Sequence, residues 1–317
     1  FNYYKSFVDH MLTLKTLGGV SGLRNYWSND GKMENQGFDI SVTAKVLALK
    51  DFSWEISAGL GHYKNEVTAL PDGDKPVYTS LYGGEVVTQV GGPVGLFYGY
   101  KTQGVFSTSE DAAFAGLRDG RADGDVFRGG DMHFADLVAD GVIDEKDKTV
   151  IGDPNPDIFG NFGTSLHYKN WTLNAFFSYS LGNDIYNYQR AVLEGGSTYY
   201  NQTTAVLNRW TSEGQVTEIP RAELGDPMGN SRFSDRWIED GSYLKLKTLS
   251  LSYRIPFNYT FLQGITVWAA ANNVFTCTKY LGSDPELSIS SSAVGQGIDR
   301  GLLGRGRSFV LGVKINL

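Results

Sequence analysis

The side chains whose types and spacing could do chemistry lie in two acidic stretches. Asp136, Asp140, the Val142 carbonyl, Asp144 and Asp147 fall at positions 1, 5, 7, 9 and 12 of a twelve-residue frame, with Gly141 at position 6. An EF-hand loop gathers oxygens around calcium in this pattern. Val138 stands at position 3, where such a loop needs an oxygen, and Asp147 stands where it has a bidentate Glu. The frame therefore supports either a weak calcium site or a turn whose carboxylates cap backbone amides. Asp119, Asp123 and Asp125 form a second cluster, in a run of Asp-Gly steps that reads as turns. His10, His62, His133 and His167 are not spaced to share a metal, and Cys277 has no base beside it in sequence. There is no Gly-x-Ser-x-Gly, no phosphate-binding loop and no framed carboxylate pair. Gly91-Gly92-Pro93-Val94-Gly95 does not lead a strand into a helix and reads as a turn. The sequence nominates no catalytic residue, requires no cofactor and leaves calcium as the one ion to test.

Aromatic side chains are the other candidates. Tyr63, Trp171, Tyr179, Trp237, Tyr253 and Trp268 lie near the ends of strand-like segments, where amphipathic rings suit a membrane–water interface. Tyr26, Trp27, Tyr82, Tyr199, Tyr200 and Trp210 lie between such segments and could stack on a ligand or a partner.

The elements that must position these residues are strands. Phe38, Ile40, Val42, Ala44 and Val46 alternate with Asp39, Ser41, Thr43 and Lys45. The same period of two runs through 52–60, 171–181 and 308–317, and less regularly through 2–13, 159–168, 242–255 and 264–276. Within 242–255 the apolar parity switches from Leu244 and Leu246 to Leu249, Leu251 and Tyr253. A one-residue slip flips the face, so a bulge, or the edge of a membrane, is expected near Thr248. Short connections at Lys50-Asp51, Lys169-Asn170 and 256–263 alternate with long ones at 14–36, 67–158, 182–241 and 277–306. Outer-membrane barrels show this alternation of short periplasmic turns and long extracellular loops. The expected fold is all-β, a transmembrane antiparallel up-and-down β-barrel with small polar residues such as Ser41, Thr43, Ser57, Gly59, Asn174 and Ser178 facing its lumen.

Composition agrees with that reading. Aromatic residues make up 13% of the chain, Gly is 39 of 317 residues, and a mean hydropathy of −0.25 fits strands that are apolar on one face only. Acidic residues outnumber basic ones, 35 to 28, for a net charge of −7, which argues against a nucleic-acid partner. One cysteine excludes a disulfide scaffold. No apolar leader opens the chain, so a mature protein or a piece of a longer one is expected. A soluble β-rich carbohydrate-binding or adhesion module, a surface enzyme and a self-contained eight-stranded porin are the rival readings.

Several segments carry a resemblance. NDGKMENQGFDISV (29–42), GGPVGLFYGYKTQGVF (91–106), GVIDEKDKTVIGDPNPDIFGNFGTSLHYKNWTL (141–173), SLGNDIYN (180–187), GNSRFSDRWIEDGSYLKLKTLSLSYRIP (229–256) and ANNVFTCTKYLGSDPE (271–286) resemble, in family order, SusC/RagA-type TonB-dependent outer-membrane transporters. So does the terminal strand RSFVLGVKINL (307–317), although Leu317 departs from the aromatic residue that usually ends such barrels. The resemblance implies that the chain is the C-terminal portion of a barrel of about 22 strands, with the plug and TonB box outside it. It further implies uptake of oligosaccharides across the bacterial outer membrane, with oligopeptides as the alternative cargo. The implied partners are a SusD-like surface lipoprotein lid, TonB-ExbB-ExbD acting through the N-terminal part, and outer-membrane lipid. A dimer of SusC-SusD pairs is the implied assembly.

Overall fold

The computed structural model describes residues 1–16, 25–121, 124–256, 264–290 and 292–316. Eight antiparallel strands form one sheet in chain order: β1 (Asn2–Thr16), β2 (Asn25–Ala48), β3 (Phe52–Ala69), β4 (Ile158–Tyr168), β5 (Trp171–Leu181), β6 (Tyr243–Ile255), β7 (Gly264–Thr278) and β8 (Ser308–Asn316). Each strand pairs with its neighbours in sequence order, as in an up-and-down wall, and β1 and β8 are the edges of the sheet.

The pairing register sorts the side chains by face. Ile40 opposes Leu60, Val42 opposes Ala58, and Ala44 opposes Ile56. The row continues through Thr164 opposite Ala175, then Ala175 opposite Leu249, Leu249 opposite Ala271 and Ala271 opposite Phe309. This outer face is apolar yet open: Val42 is 56% exposed and Leu311 84%. On it Phe162 stacks on Phe177, with ring centroids 4.4 Å apart. The Trp54 indole finds its one partner in Thr164, donating to the hydroxyl at 2.9 Å. The opposite face carries Ser41, Thr43, Ser57, Gly59, Asn161, Asn174, Ser250 and Ser252 in register.

The parity switch in β6 is a bulge. Phe176 pairs with Thr248 but Phe177 pairs with Leu246, so Lys247 is the extra residue. On the other side Thr248 pairs with Asn272 and Leu246 with Phe275. Asn273, opposite the bulge, takes a left-handed φ of 50°. The insertion returns Leu244 and Leu246 to the face of Leu249 and Leu251.

The first long connection is shorter than the sequence suggests. β1 and β2 run past the apolar belt to Thr16 and from Asn25, so most of 14–36 is strand. Outward positions there are polar, with Gln36 opposite Lys64 and Glu34 opposite Glu66. Backbone ladders form whatever the side chains are, while the periodicity signal disappears once neither face is apolar. The other long connections hold short elements. Val77–Leu81, Gly84–Thr88, Leu96–Gly99 and Thr149–Gly152 form a four-stranded sheet. Ile238–Asp240, Asp184–Asn187 and Ile298–Asp299 form a three-stranded one with a parallel pair. Two clusters fill this region. One joins Phe106, Phe127, Met132, Phe134, Ile143 and Met228; the other joins Val86, Phe97, Tyr186, Trp237 and Ile298.

Candidate functional site

Two surfaces can meet a ligand: the polar inner face of the wall and the packed loops at its outer end. On the inner face, Asn174 donates to Ser250 at 3.4 Å, Thr248 to Asn272 at 3.2 Å and Asn272 to Ser308 at 3.1 Å. Hydrogen bonds of this kind run from strand to strand without a formal charge.

The loops are held by buried ions that join distant stretches of chain. Asp131 is fully buried and accepts from Arg221 at 2.8 Å and from Asn230 at 2.9 Å. Asp119 is 2% exposed, accepts from Arg121 at 2.6 and 2.8 Å, and lies 3.2 Å from Arg232. Burial alone would raise the Asp119 pKa, but hydrogen bonds from Arg121 and the Arg232 charge outweigh it and hold it below the ordinary carboxylate range. Asp235 accepts from the Thr102 amide and hydroxyl, and Glu213 from Ser109. Arg190 and Arg236 lie over the Trp237 ring. Burial brings Arg236 down to about 10.

A third ion cluster joins loop to wall. Because Lys247 is the bulge residue, Lys245 and Lys247 both reach Glu286, and Lys245 also reaches Asp284 at 2.8 Å. Burial would raise Glu286, and the two lysines more than offset it, so its pKa is lowered. The sequence holds a signal for this clamp: two lysines flank Leu246 at the parity switch in YLKLKTLSLSY, the second of them the extra residue, and a Ser-Asp-Pro-Glu stretch follows β7.

The acidic frame at 136–147 is arranged as a set of caps. Asp136 accepts from the Ala139 and Gly141 amides, Asp140 from Val142, and Asp144 from Lys146. Asp147 is 1% exposed and accepts from Leu137, Val138 and Asp144. The Lys146 ammonium lies 3.3 Å from Asp144 and 3.7 Å from Asp140. Among the described residues no group of three or more His, Cys, Asp or Glu is placed to hold a metal, so these oxygens as arranged do not fit calcium. Asp119 is an ion-pair anchor and not a turn residue in solvent. Asp123 lies outside the described residues.

The aromatic candidates divide. Trp171 and Tyr253 pair across strands on the apolar face, 4.6 Å between ring centroids, and Tyr179 lies on the same face with its hydroxyl on the Gly59 carbonyl. Trp237 does not belong to a girdle. It is 0% exposed within the loop core and donates to the Arg232 carbonyl. Trp268 faces the polar side, in register with Ser252 and Gly312, and its ring covers Gly312 so closely that a Cβ there would clash. Parity, one residue off the Val267 and Ala269 row, decides this. Tyr63 also points inward and donates to Asn155.

Among the loop aromatics, Trp210 lies on Gly130 and donates to the Ser107 carbonyl, a structural placement. Tyr82 forms a two-residue turn with Gly83, both at positive φ, and its hydroxyl accepts from Arg300. Tyr199 and Tyr200 are 90% and 70% exposed, and Trp27 is 69% exposed. Tyr26 is exposed on β2.

A two-faced antiparallel wall, apolar outside and polar inside, with structured loops at one end, is the architecture of an outer-membrane β-barrel segment. No family model matches the chain. TonB-dependent receptor P3 of Formosa agariphila is 32% identical over 330 residues, covering 99% of this chain and 32% of that protein. TonB-dependent receptor SusC of Bacteroides thetaiotaomicron is 26% identical over 329 residues, covering 99% and 29%. The solved structure of the RagAB peptide transporter superposes with a TM-score of 0.80 at 25% identity, over 99% of this chain and 32% of that one. Over the region it covers, the chain is of the SusC/RagA type of TonB-dependent receptor, a class of outer-membrane proteins named as receptors and transporters and not as enzymes. It spans about a third of the length of these relatives.

Proposed function

We propose that this chain forms the C-terminal part of the barrel wall and the outer loops of a TonB-dependent importer that takes up oligosaccharides across the bacterial outer membrane. The observation that carries the reading is the register-wide separation of faces, with apolar residues outward and a polar, hydrogen-bonding lining inward. Such a lining offers a polar solute hydrogen-bond partners in place of the water it leaves. The reaction is translocation, with no bond made or broken. Its energy comes from TonB-ExbB-ExbD acting on a plug. A SusD-like surface lipoprotein covers the loops, in a dimer of such pairs. Trp171, Tyr179 and Tyr253 serve as interfacial anchors, and the exposed rings of Trp27, Tyr199 and Tyr200 meet ligand or lid. Tyr26 and Tyr82 join them at the loop surface.

Oligopeptide uptake is the second reading, favoured by the likeness to a peptide transporter. The test is mass spectrometry of material co-purified with the full protein and its partner, together with uptake measured with and without a proton uncoupler. Uncoupler-sensitive uptake of an oligosaccharide supports the first reading. Co-purified peptides support the second, and uptake indifferent to the uncoupler overturns both.

A further inference from the structure

A cleft of about 350 Å³ lies where the loops meet the outer end of the inner face, within the size range of small-molecule sites. Its floor is the cross-strand pair Ser180 and Tyr243, both inward-facing. Asn183 and Gln296 stand on its walls. Ser180 donates to the Asn183 carbonyl oxygen at 2.9 Å, and Gln296 donates from its amide nitrogen to the Pro154 carbonyl. These bonds fix both amides, with the Asn183 amide nitrogen packed over Gly241 and Gln296 beside the Tyr63 hydroxyl. The apolar part of the lining comes from the rings of Pro154, Pro156 and Pro285 together with Ile185 and Leu287.

The charge balance of the cleft is its most telling property. Glu286 is its one ionisable carboxylate, and both oxygens are engaged by Lys245 and Lys247, with Tyr243 donating to one of them at 3.0 Å. A solute entering the cleft therefore meets fixed amide and hydroxyl groups and flat C–H faces, but no free charge. A neutral sugar chain offers hydroxyls to the first and ring C–H faces to the second. A peptide brings charged termini and side chains that would find no counter-charge here and would pay for desolvation.

We infer that this cleft is a subsite for an uncharged oligosaccharide, with Asn183 and Gln296 as its contact residues and the Lys245–Lys247–Glu286 clamp as the positioning group that holds its loop wall. The inference rests on the oligosaccharide reading above and specifies where on the path the sugar is held.

The experiment uses the full protein with its lipoprotein partner, purified from cells grown on mixed polysaccharides. Co-purified material is identified by mass spectrometry in the parent, in Asn183→Asp, in Gln296→Leu and in Lys247→Met. Heat-shifted gel mobility confirms that each variant is a folded barrel. The expected result is a neutral oligosaccharide on the parent, reduced at least tenfold in Asn183→Asp and Gln296→Leu. In Lys247→Met a smaller loss is expected, together with increased proteolysis of the 279–290 stretch, a readout that loss of a direct contact alone would not give. Folded variants that carry the parent's sugar in full overturn the subsite and leave the importer reading standing. A parent that carries peptide, or no oligosaccharide, overturns both.

Discussion

Val42 sits mid-wall and is 56% exposed, while Trp237 sits in a loop and is 0% exposed. Of the buried apolar side chains among the described residues, only Val67 and Leu246 belong to wall strands, and the rest lie in the connections. The ordinary relation between regular structure and core is thus inverted. The wall is held by its hydrogen-bond ladder and by lipid on one side, as any structure crossing a bilayer must be. The loops are in water and must build their own core, and they do so with two apolar clusters and buried ion pairs. The two regions should therefore fail under different insults.

The largest effect is expected at the loop core. Trp237→Ala removes the largest fully buried side chain and the ring on which Arg190 and Arg236 rest. It should cost the loops about 3–5 kcal/mol, seen as faster hydrogen exchange and proteolysis through 184–240, while heat-shifted gel mobility stays that of the parent. If the barrel is lost as well, the two regions are one cooperative unit and the contrast breaks. Next comes the wall. Ala175→Arg on the apolar face, midway between Trp171 and Tyr179, should cost about 2–4 kcal/mol at mid-membrane and reduce assembled protein in the outer membrane. Asn174→Arg, one residue away and inward, should assemble as the parent does. Equal losses at both positions would remove the assignment of faces.

The same contrast explains what could be read from the sequence. The wall was legible because lipid imposes a period of two along every strand. All eight strands stand where the alternation places them, and the parity switch marks the bulge at Lys247. The loop core was not legible, because its contacts join residues about a hundred positions apart, such as Thr102 with Asp235 and Asp131 with Arg221, in strands too short to show a period. Trp237 and Trp268 show the cost of reading residue type without parity or burial. Both are tryptophans near strand ends, yet one is core and the other faces the polar side.

A buried ion pair gives the loops a pH sensitivity of their own. The Asp119 carboxylate is held below its ordinary pKa, so its contribution is in full force above the unfolded value near 4 and fades as pH falls through the lower, folded value. Asp119→Asn should cost about 2 kcal/mol at pH 7, since Arg232 then loses its counter-charge, and should flatten the loss of loop stability below about pH 4. Loop opening followed by hydrogen exchange across that range would show the flattening. An unchanged profile would mean that other carboxylates dominate the acid response.

The smallest effect is expected in the 136–147 turn, and it sharpens what separates a cap from a ligand. In an ion-binding loop the carboxylates turn inward to a common centre, and the cation offsets their mutual repulsion. Here the repulsion is relieved without an ion. Asp136, Asp140, Asp144 and Asp147 each accept from backbone amides, and the Lys146 ammonium stands beside two of them. A cation would have to displace those amides and leave several N–H groups unpaired, at a cost of about 1–3 kcal/mol for each one that stays buried. Calorimetry of the full protein with calcium is therefore expected to show no binding heat at millimolar concentration. Asp140→Ala, at an exposed position with one amide to cap, should change stability by about 0.5 kcal/mol or less. Saturable heat abolished by Asp140→Ala would show instead that the loop rearranges around calcium, and that capping is only what its carboxylates do between ions.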